Sequence, residues 1–360
     1  MKLEYNKIHH KFKFNGTSYG VETLKEVAYD LVKEGALYEK VIGDFLLDWL
    51  DDKLIVEVKT SGSTGTPKNI KLQKQHMVNS ALATGMYFDL KPEDKIILCL
   101  PADYIAGKMM LVRAMVLGLE IDSVAPSLNP LSKVNKKYDF AAMIPLQVVN
   151  SLAYLQNITK LIIGGASVSN TLKNELQTIE TKVYETYGMT ETITHVAVRN
   201  VNHSKAYTPN NFKALANVSF SVDHRDCLII SSPKVSNSKI TTNDIVSLVS
   251  ETEFKWLGRY DNIINSGGVK LIPEQIETKL SSCIIDERFF VAGISDDKLG
   301  EKLVLFIEGE INTVDLLKKI TTSKLLDKFE VPKEIHVISK FIETDSGKIN
   351  RKQNLLLIKN

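Results

Sequence analysis

Short apolar runs alternate with helical patterns along residues 54–188, and this alternation leaves few architectures open to the chain. Strands buried on both faces of a parallel sheet are nearly continuously apolar, and the helices between them cover the sheet. The alternation therefore predicts an α/β domain with a mainly parallel sheet. The predicted strands are 54–58, 95–100, 120–125, 140–144, 160–164 and 182–188, and the predicted helices between them include 107–117, 145–156 and 170–180.

The two ends of the chain differ from this central part. Helical spacing of apolar residues over 24–32 and 37–50 predicts two amphipathic helices before the sheet. Strand-rich segments after Glu191 predict an antiparallel or barrel portion appended to it. We predict a large domain at 1–260 and a small α+β domain at 262–360. The elements predicted for the small domain are strands 289–293, 303–308 and 334–338 and helix 313–326.

The charges of the chain nearly cancel, with 45 basic and 43 acidic residues among 360. No overall field favours nucleic acid or an anionic membrane as a partner, so any anion site must be local. The first residues lack an apolar leader, and no window approaches 18 continuous apolar residues, so we expect a cytoplasmic protein. Cys99, Cys227 and Cys283 are far apart, which predicts buried reduced thiols rather than a metal site.

The segment TSGSTGTPKN, residues 60–69, combines hydroxyl groups and exposed backbone amides with little side-chain bulk. Such a loop suits a polyphosphate. The Walker pattern does not fit, because Pro67 precedes Lys68 and residues 69–73 alternate like a strand instead of forming a helix. The segment is therefore either a phosphate loop of another kind between two strands or a flexible surface hairpin.

Three further motifs follow this loop in order: YGMTET at 187–192, GRYDNIINSGG at 258–268 and TDSGKINR at 344–351. Together the four resemble the acyl-adenylate-forming superfamily, which contains acyl- and aryl-CoA ligases, stand-alone adenylation domains and luciferases. The resemblance runs from about residue 54 to the C-terminus. It implies ATP, Mg²⁺ and coenzyme A as ligands, and a mobile small domain that turns about Asp261 between two half-reactions.

The resemblance also implies roles for individual residues. Tyr187 and Gly188 would lie against adenine, Thr190 would contact the α-phosphate, and Glu191 would help hold Mg²⁺. Lys348 would bridge the acyl carboxylate and the α-phosphate as the catalytic lysine. The remaining nucleotide contacts would be Thr60, Ser61, Gly62, Ser63, Thr64, Gly65 and Lys68 for the phosphates, Gly164, Gly165 and Ala166 for adenine, and Asp244 and Arg259 for ribose, with Gly267 and Gly268 beside coenzyme A.

Two positions depart from the family pattern. Asn69 stands where a glycine usually follows the lysine of the phosphate loop. Asn243 replaces the glycine of the usual Thr-Gly-Asp, and we expect the turn to survive because asparagine tolerates the left-handed backbone. Arg259 resembles a contact of the family to ribose or to phosphate, and it could instead form a surface ion pair.

The acid pocket of the family lies beside the segment LPADYIAGKMMLVRAM, residues 100–115. Tyr104, Ala106 and Gly107 resemble its gate and floor. Arg113 lies in an apolar helix and needs a partner, which is either an internal acidic side chain or a second carboxylate on the substrate. His195 is either at the pocket rim or a hydrogen-bonded strand histidine.

This arrangement is most similar to the ligases that take o-succinylbenzoate, an aromatic acid with two carboxylates, in menaquinone biosynthesis. Other aryl- or acyl-CoA ligation, or loading of a carrier protein, remains open, as does a degenerate ATP-binding regulatory protein. We expect a monomer or homodimer.

Overall fold

The computed structural model describes residues 4–59, 69–203, 210–285, 287–344 and 349–358. The chain divides into two compact units. The first comprises residues 1–219, 230–240 and 251–253, and the second comprises 220–229, 241–250 and 254–360. The hinge predicted at Asp261 lies within the second unit, and the domain limits predicted on either side of it stay a prediction.

The first unit contains the predicted α/β sheet. Its strands are β1 (Lys13–Phe14), β2 (Thr17–Ser18), β3 (Ile55–Lys59), β4 (Asn69–Gln73), β5 (Lys95–Leu98), β6 (Glu120–Ser123), β7 (Tyr138–Met143), β8 (Ile158–Ile163), β9 (Lys182–Gly188), β10 (His195–Asn200) and β11 (Phe212–Ala214). Its helices are α1 (Val21–Glu34), α2 (Leu37–Leu50), α3 (Lys74–Phe88), α4 (Ile105–Leu117), α5 (Pro145–Ser151) and α6 (Asn170–Leu176), with 3₁₀ turns at Leu152–Asn157 and Thr190–Thr192.

The main sheet of this unit has the strand order β11-β10-β9-β8-β7-β5-β6-β1-β2. The neighbours from β9 to β1 are parallel, whereas β10 and β11 at one end and β2 at the other pair antiparallel. The predicted α/β class is therefore confirmed. The strand predicted at 54–58 is present as β3, but it does not belong to the parallel sheet. It pairs antiparallel with β4 in a separate two-stranded sheet.

Both faces of the parallel strands are covered, which explains their continuous apolar runs. Alternate residues such as Ala141 and Leu161 join one core with Val148 of α5 and Leu172 of α6. On the opposite face, Phe88 of α3 packs against Phe140 of β7, with ring centroids 5.3 Å apart. This arrangement places α3 on the face of the sheet opposite α5 and α6.

The second unit combines a run of four strands with the predicted α+β elements. Its strands are β12 (Ser219–Val222), β13 (Cys227–Ser231), β14 (Ile240–Ser250), β15 (Glu253–Arg259), β16 (Ile264–Ser266), β17 (Val269–Leu271), β18 (Phe289–Asp296), β19 (Gly300–Glu308) and β20 (Glu334–Ile338). Its helices are α7 (Pro273–Leu280), α8 (Thr313–Ser323) and α9 (Arg351–Leu356), with a 3₁₀ turn at Tyr260–Asn262.

Strands β12 to β15 are hydrogen-bonded neighbours in chain order. A separate sheet has the order β17-β16-β19-β18, and in it β20 pairs parallel with β19. Ile276 of α7 and Leu316 of α8 pack with Leu305 of β19 in the core of that sheet. All three cysteines are buried and free, as predicted. Over the described residues, the helices lack the combination of length and apolar character that a membrane span requires.

Candidate functional site

The predicted phosphate loop and the predicted catalytic lysine lie outside the described residues. This applies to Thr60, Ser61, Gly62, Ser63, Thr64, Gly65, Lys68 and Lys348. The strands on either side of the loop are described, and β3 and β4 pair antiparallel up to Lys59 opposite Asn69. The prediction that two strands flank the segment is confirmed, and its binding role stays a prediction.

The predicted adenine turn follows β8 at the carboxyl edge of the parallel sheet. Gly165 has φ +82°, a backbone conformation that residues other than glycine rarely adopt. A Cβ on Gly164 would come within 2.7 Å of the Thr186 hydroxyl oxygen, so a larger residue would require the Thr186 side chain on β9 to move. Because both glycines lack side chains, the backbone of this turn is uncovered, and a flat ring could approach it.

The Tyr-Gly motif ends β9 in a turn that tolerates little change. A Cβ on Gly188 would lie 2.1 Å from the carbonyl oxygen of Thr194, so only glycine fits where β9 meets β10. The Thr192 hydroxyl accepts a hydrogen bond from the Met189 amide at 3.0 Å and donates to the Thr194 carbonyl at 2.6 Å. Ile193 is held at φ 67°, an unfavourable conformation for a β-branched residue, in a segment next to predicted site residues.

This turn places the predicted metal ligand at the surface. Glu191 is exposed, and Thr190 before it is half-buried. No ion pair engages the Glu191 carboxylate within the ranges described. The carboxylate oxygens of Glu191 are hard ligands that suit Mg²⁺. This ion usually fills most of its coordination shell with phosphate oxygens and water. No group of three or more His, Cys, Asp or Glu side chains that could hold a metal occurs among the described residues.

Arg113 lies on α4, and its side chain is fully buried at 2% exposure. Its Nη2 donates to the Thr194 hydroxyl at 3.3 Å, and its Nη1 lies 3.5 Å from the Met110 sulfur. Across the described part of the chain, Nε has no hydrogen-bond partner. Burial lowers the pKa of Arg113 from 12.5 to about 10, and no carboxylate of the described residues offsets this effect. The internal ion pair that the sequence left open is thus not found among the described residues.

The Thr194 hydroxyl, just before β10, links this guanidinium to hydroxyl groups of α3. The Ser80 hydroxyl lies 3.2 Å from the Thr194 hydroxyl, and the Thr84 hydroxyl donates to the Ser80 carbonyl at 3.0 Å. None of these three residues is among the site residues predicted from the sequence. The spacing of Ser80 and Thr84, four apart on one helix face, is a signal that could have indicated these two residues, whereas Thr194 has no such signal.

His195 is buried beside this cluster, with Nε2 3.4 Å from the Thr84 hydroxyl. Burial lowers its pKa well below 6.5, and the charge of Arg113 lowers it further. The imidazole is therefore neutral at physiological pH. Its environment matches the alternative of a hydrogen-bonded strand histidine, and the structure also places it within the Arg113 cluster.

The residues predicted as gate and floor begin the same helix. Tyr104 precedes α4 and is partly exposed, and Ala106 is exposed. A Cβ on Gly107 would lie 2.3 Å from the Pro101 carbonyl oxygen, so this glycine allows the helix to pack on its preceding loop. Ala106 and Arg113 are seven residues apart, which places them on one helix face about 10 Å apart along the axis.

The predicted ribose residues lie in the second unit. Asp244 of β14 is buried, and its Oδ1 accepts a hydrogen bond from Trp256 Nε1 at 3.2 Å. Arg259 Nη1 lies 3.5 Å from the same oxygen, and Arg259 Nη2 lies 3.0 Å from Asp261 Oδ2. Arg259 therefore forms ion pairs with two acids, and its nucleotide contact stays a prediction.

The predicted coenzyme A glycines form the hairpin between β16 and β17. Gly267 and Gly268 have φ +58° and +84°, and Ser266 pairs with Val269 on either side of them. Two consecutive residues with positive φ make the tight hairpin turn that glycine favours. A Cβ on Gly268 would meet no atom within 4 Å, so its backbone faces open space.

Comparison with known proteins places these features in a family. The family model described as AMP-binding enzyme matches residues 51–225. A solved structure from Dyadobacter fermentans, described as an acyl-CoA synthetase (AMP-forming)/AMP-acid ligase II-like protein, is 33% identical with a TM-score of 0.60 and covers 93% of this chain and 98% of that chain. The resemblance inferred from the motifs is thereby confirmed.

Relatives described as 2-succinylbenzoate–CoA ligases also match. The ligase of Listeria monocytogenes is 24% identical over 315 residues, covering 81% of this chain and 68% of its own length. The O-succinylbenzoate coenzyme A synthetase from Bacillus subtilis, solved with ATP and magnesium ion, has a TM-score of 0.72 at 18% identity, over 82% of this chain and 69% of that chain. At this identity, the structural likeness shows the fold.

Proposed function

This chain belongs to the family of AMP-binding enzymes, and on that premise we propose that it joins o-succinylbenzoate to coenzyme A at the expense of ATP. The product, o-succinylbenzoyl-CoA, is an intermediate of menaquinone biosynthesis. The names of the relatives in Listeria monocytogenes and Bacillus subtilis support this substrate. The proposal includes a cytoplasmic location, where ATP and coenzyme A are available, and a monomer or homodimer.

The burial of Arg113 is the observation that supports a dicarboxylic acid as the substrate. A buried guanidinium without a carboxylate partner is costly, and a dicarboxylic acid would supply the missing anion. The Thr194 hydroxyl, which Arg113 contacts, and the Ser80 hydroxyl 3.2 Å from it would complete the hydrogen bonding of that distal carboxylate. A monocarboxylic acid would leave the charge unpaired, so the site favours an acid with two carboxylates.

The reaction has two steps in this proposal. An oxygen of the reacting carboxylate attacks the α-phosphorus of ATP, the bond to the β-phosphate bridging oxygen breaks, and pyrophosphate leaves. The coenzyme A sulfur then attacks the acyl carbon, its proton is released, and the carbon–oxygen bond to AMP breaks. Negative charge gathers around the α-phosphate in the first step, where Lys348 and Thr190 would stabilise it.

The proposed ligand contacts follow the sequence motifs. The Gly164–Ala166 turn and Tyr187 would hold adenine, residues 60–68 the phosphates, and Asp244 and Arg259 the ribose. Glu191 would hold Mg²⁺, which neutralises phosphate charge when bound. The open backbone at Gly268 would admit the pantetheine arm of coenzyme A. Asp261 would be the hinge about which the small domain turns.

The test is acid-dependent release of pyrophosphate across aromatic mono- and dicarboxylic acids, with o-succinylbenzoate included. We expect o-succinylbenzoate to be preferred, and we expect Arg113→Ala to reduce kcat/KM for it far more than for benzoate. An unchanged ratio would exclude the proposed role of Arg113. Thioester assays with coenzyme A and with a carrier protein then identify the acceptor.

A further inference from the structure

Asn243 contacts the predicted hinge directly. It lies on β14, where the family pattern has glycine, immediately before Asp244. The left-handed backbone expected for it is not observed, because Asn243 is absent from the described residues with positive φ and lies in an extended strand. Instead, its Nδ2 donates to both carboxylate oxygens of Asp261, at 3.2 Å each.

Arg225 determines which way the Asn243 amide points. Arg225 Nη1 donates to Asn243 Oδ1 at 3.2 Å, and Arg225 itself is held by Asp223 at 2.7 Å. The guanidinium also lies over the Tyr260 ring, 5.0 Å from its centroid. Because arginine can only donate, it selects the amide oxygen, and the amide nitrogen must face Asp261.

The hinge turn is also held from its other side. Arg259 Nη2 lies 3.0 Å from Asp261 Oδ2, and Asn262 Nδ2 donates to Glu274 Oε1 at 2.5 Å. Asp261 is itself 45% exposed, so these contacts restrain it without a packed core around it. The turn is therefore fixed mainly by polar contacts, which a change in backbone dihedrals at Asp261 would break.

We propose that Asn243 acts as a latch on Asp261, with Arg225 orienting it, and that this latch stabilises the hinge conformation seen in this structure. The inference rests on the proposed function for the hinge role of Asp261. Rotation about Asp261 moves its carboxylate away from β14, so the hydrogen bonds from Asn243 must break. Glycine at this position offers no such bonds. One hydrogen bond to a partly exposed carboxylate shifts such an equilibrium by about two- to tenfold.

The test is fluorescence energy transfer in the full-length, ligand-free chain. Dyes are placed at exposed positions of β14 and α8 through Val249→Cys and Lys318→Cys, because the native cysteines are buried. Two states are expected, one with the hinge conformation of this structure and one in which the small domain has rotated about Asp261. We expect Asn243→Gly to shift the ratio of their populations about two- to tenfold toward the rotated state. Ser247→Gly, an exposed position on the same strand, controls for added backbone freedom and should leave the ratio unchanged.

Asn243→Asp separates the latch from any backbone effect, because it keeps the side-chain size but places a carboxylate against Asp261. It should shift the ratio in the same direction as Asn243→Gly. Equal ratios in wild type and Asn243→Gly, or a shift in Asn243→Gly alone, would overturn the proposal. Melting curves confirm that each variant is folded. Absence of acid-dependent pyrophosphate release in the wild type would refute the proposed function, whereas the transfer ratios decide on the latch independently.

Discussion

Replacing Arg113 with methionine should make the ligand-free protein more stable. A pKa lowered by burial from 12.5 to about 10 corresponds to about 3 kcal/mol of unfavourable free energy for the charged side chain in the folded state. Below pH 10 the guanidinium is charged in both folded and unfolded states, so the full cost applies at neutral pH. Methionine has similar length and no charge, which removes this cost.

The interactions that the Arg113 guanidinium makes in the ligand-free protein are weak. The hydrogen bond to Thr194 is 3.3 Å long, and the sulfur of Met110 lies 3.5 Å away. Allowing about 1 kcal/mol for the removal of these interactions and for imperfect packing, we expect a net gain of about 1–2 kcal/mol in Arg113→Met. The same substitution should abolish the preference for dicarboxylic acids, because the partner of the distal carboxylate is gone.

Arg199 provides the matched control in the same unit. Its Nη2 lies 2.7 Å from Glu185 Oε2, and the Glu185 side chain is 6% exposed. Arg199→Met leaves that carboxylate buried and unpaired, which should cost about 3 kcal/mol. The assay is urea unfolding of both variants at neutral pH without ligand. If Arg113→Met destabilises the protein as Arg199→Met does, the reasoning about an uncompensated charge is refuted.

Two further predictions concern the chemistry and the pH dependence. Lys348→Ala should nearly abolish adenylate formation while sparing thioester formation from supplied adenylate, and equal loss of both steps would refute the assigned role. His195 has a folded-state pKa well below its unfolded value of 6.5, so the unfolded state alone takes up a proton as the pH falls below 6.5, and stability is lost. At about pH 5.5 this loss should reach about 1 kcal/mol, and urea unfolding should show it reduced in His195→Gln.

The sequence predicted the elements whose signal is local. Strand β9 was predicted at 182–188, the bounds observed, because its β-branched and aromatic residues end at a glycine. The helix predicted at 145–156 instead consists of α5 followed by a 3₁₀ turn from Leu152. The helices predicted at 170–180 and 313–326 end early, at Leu176 and Ser323. Apolar spacing alone does not mark these ends.

Features that depend on distant pairing could not be predicted. The error for the run at 54–58 has another cause: its apolar residues resemble a buried parallel strand, whereas β3 pairs antiparallel with the nearby β4. Ser80 and Thr194 are 114 residues apart, so their contact beside Arg113 has no local signal. Asn243 was interpreted through its backbone preference, whereas its side chain contacts Asp261, 18 residues away.

The strained backbone at Ile193 has a consequence for which substitutions would inactivate the enzyme. Its side chain is 1% exposed, so burial holds the residue in a conformation that it would otherwise avoid. A cavity opened beneath this side chain would let the segment relax, and Glu191, two residues earlier, would change direction. Given the proposed role of Glu191, core mutations that touch no reacting group would reduce activity while leaving the protein folded.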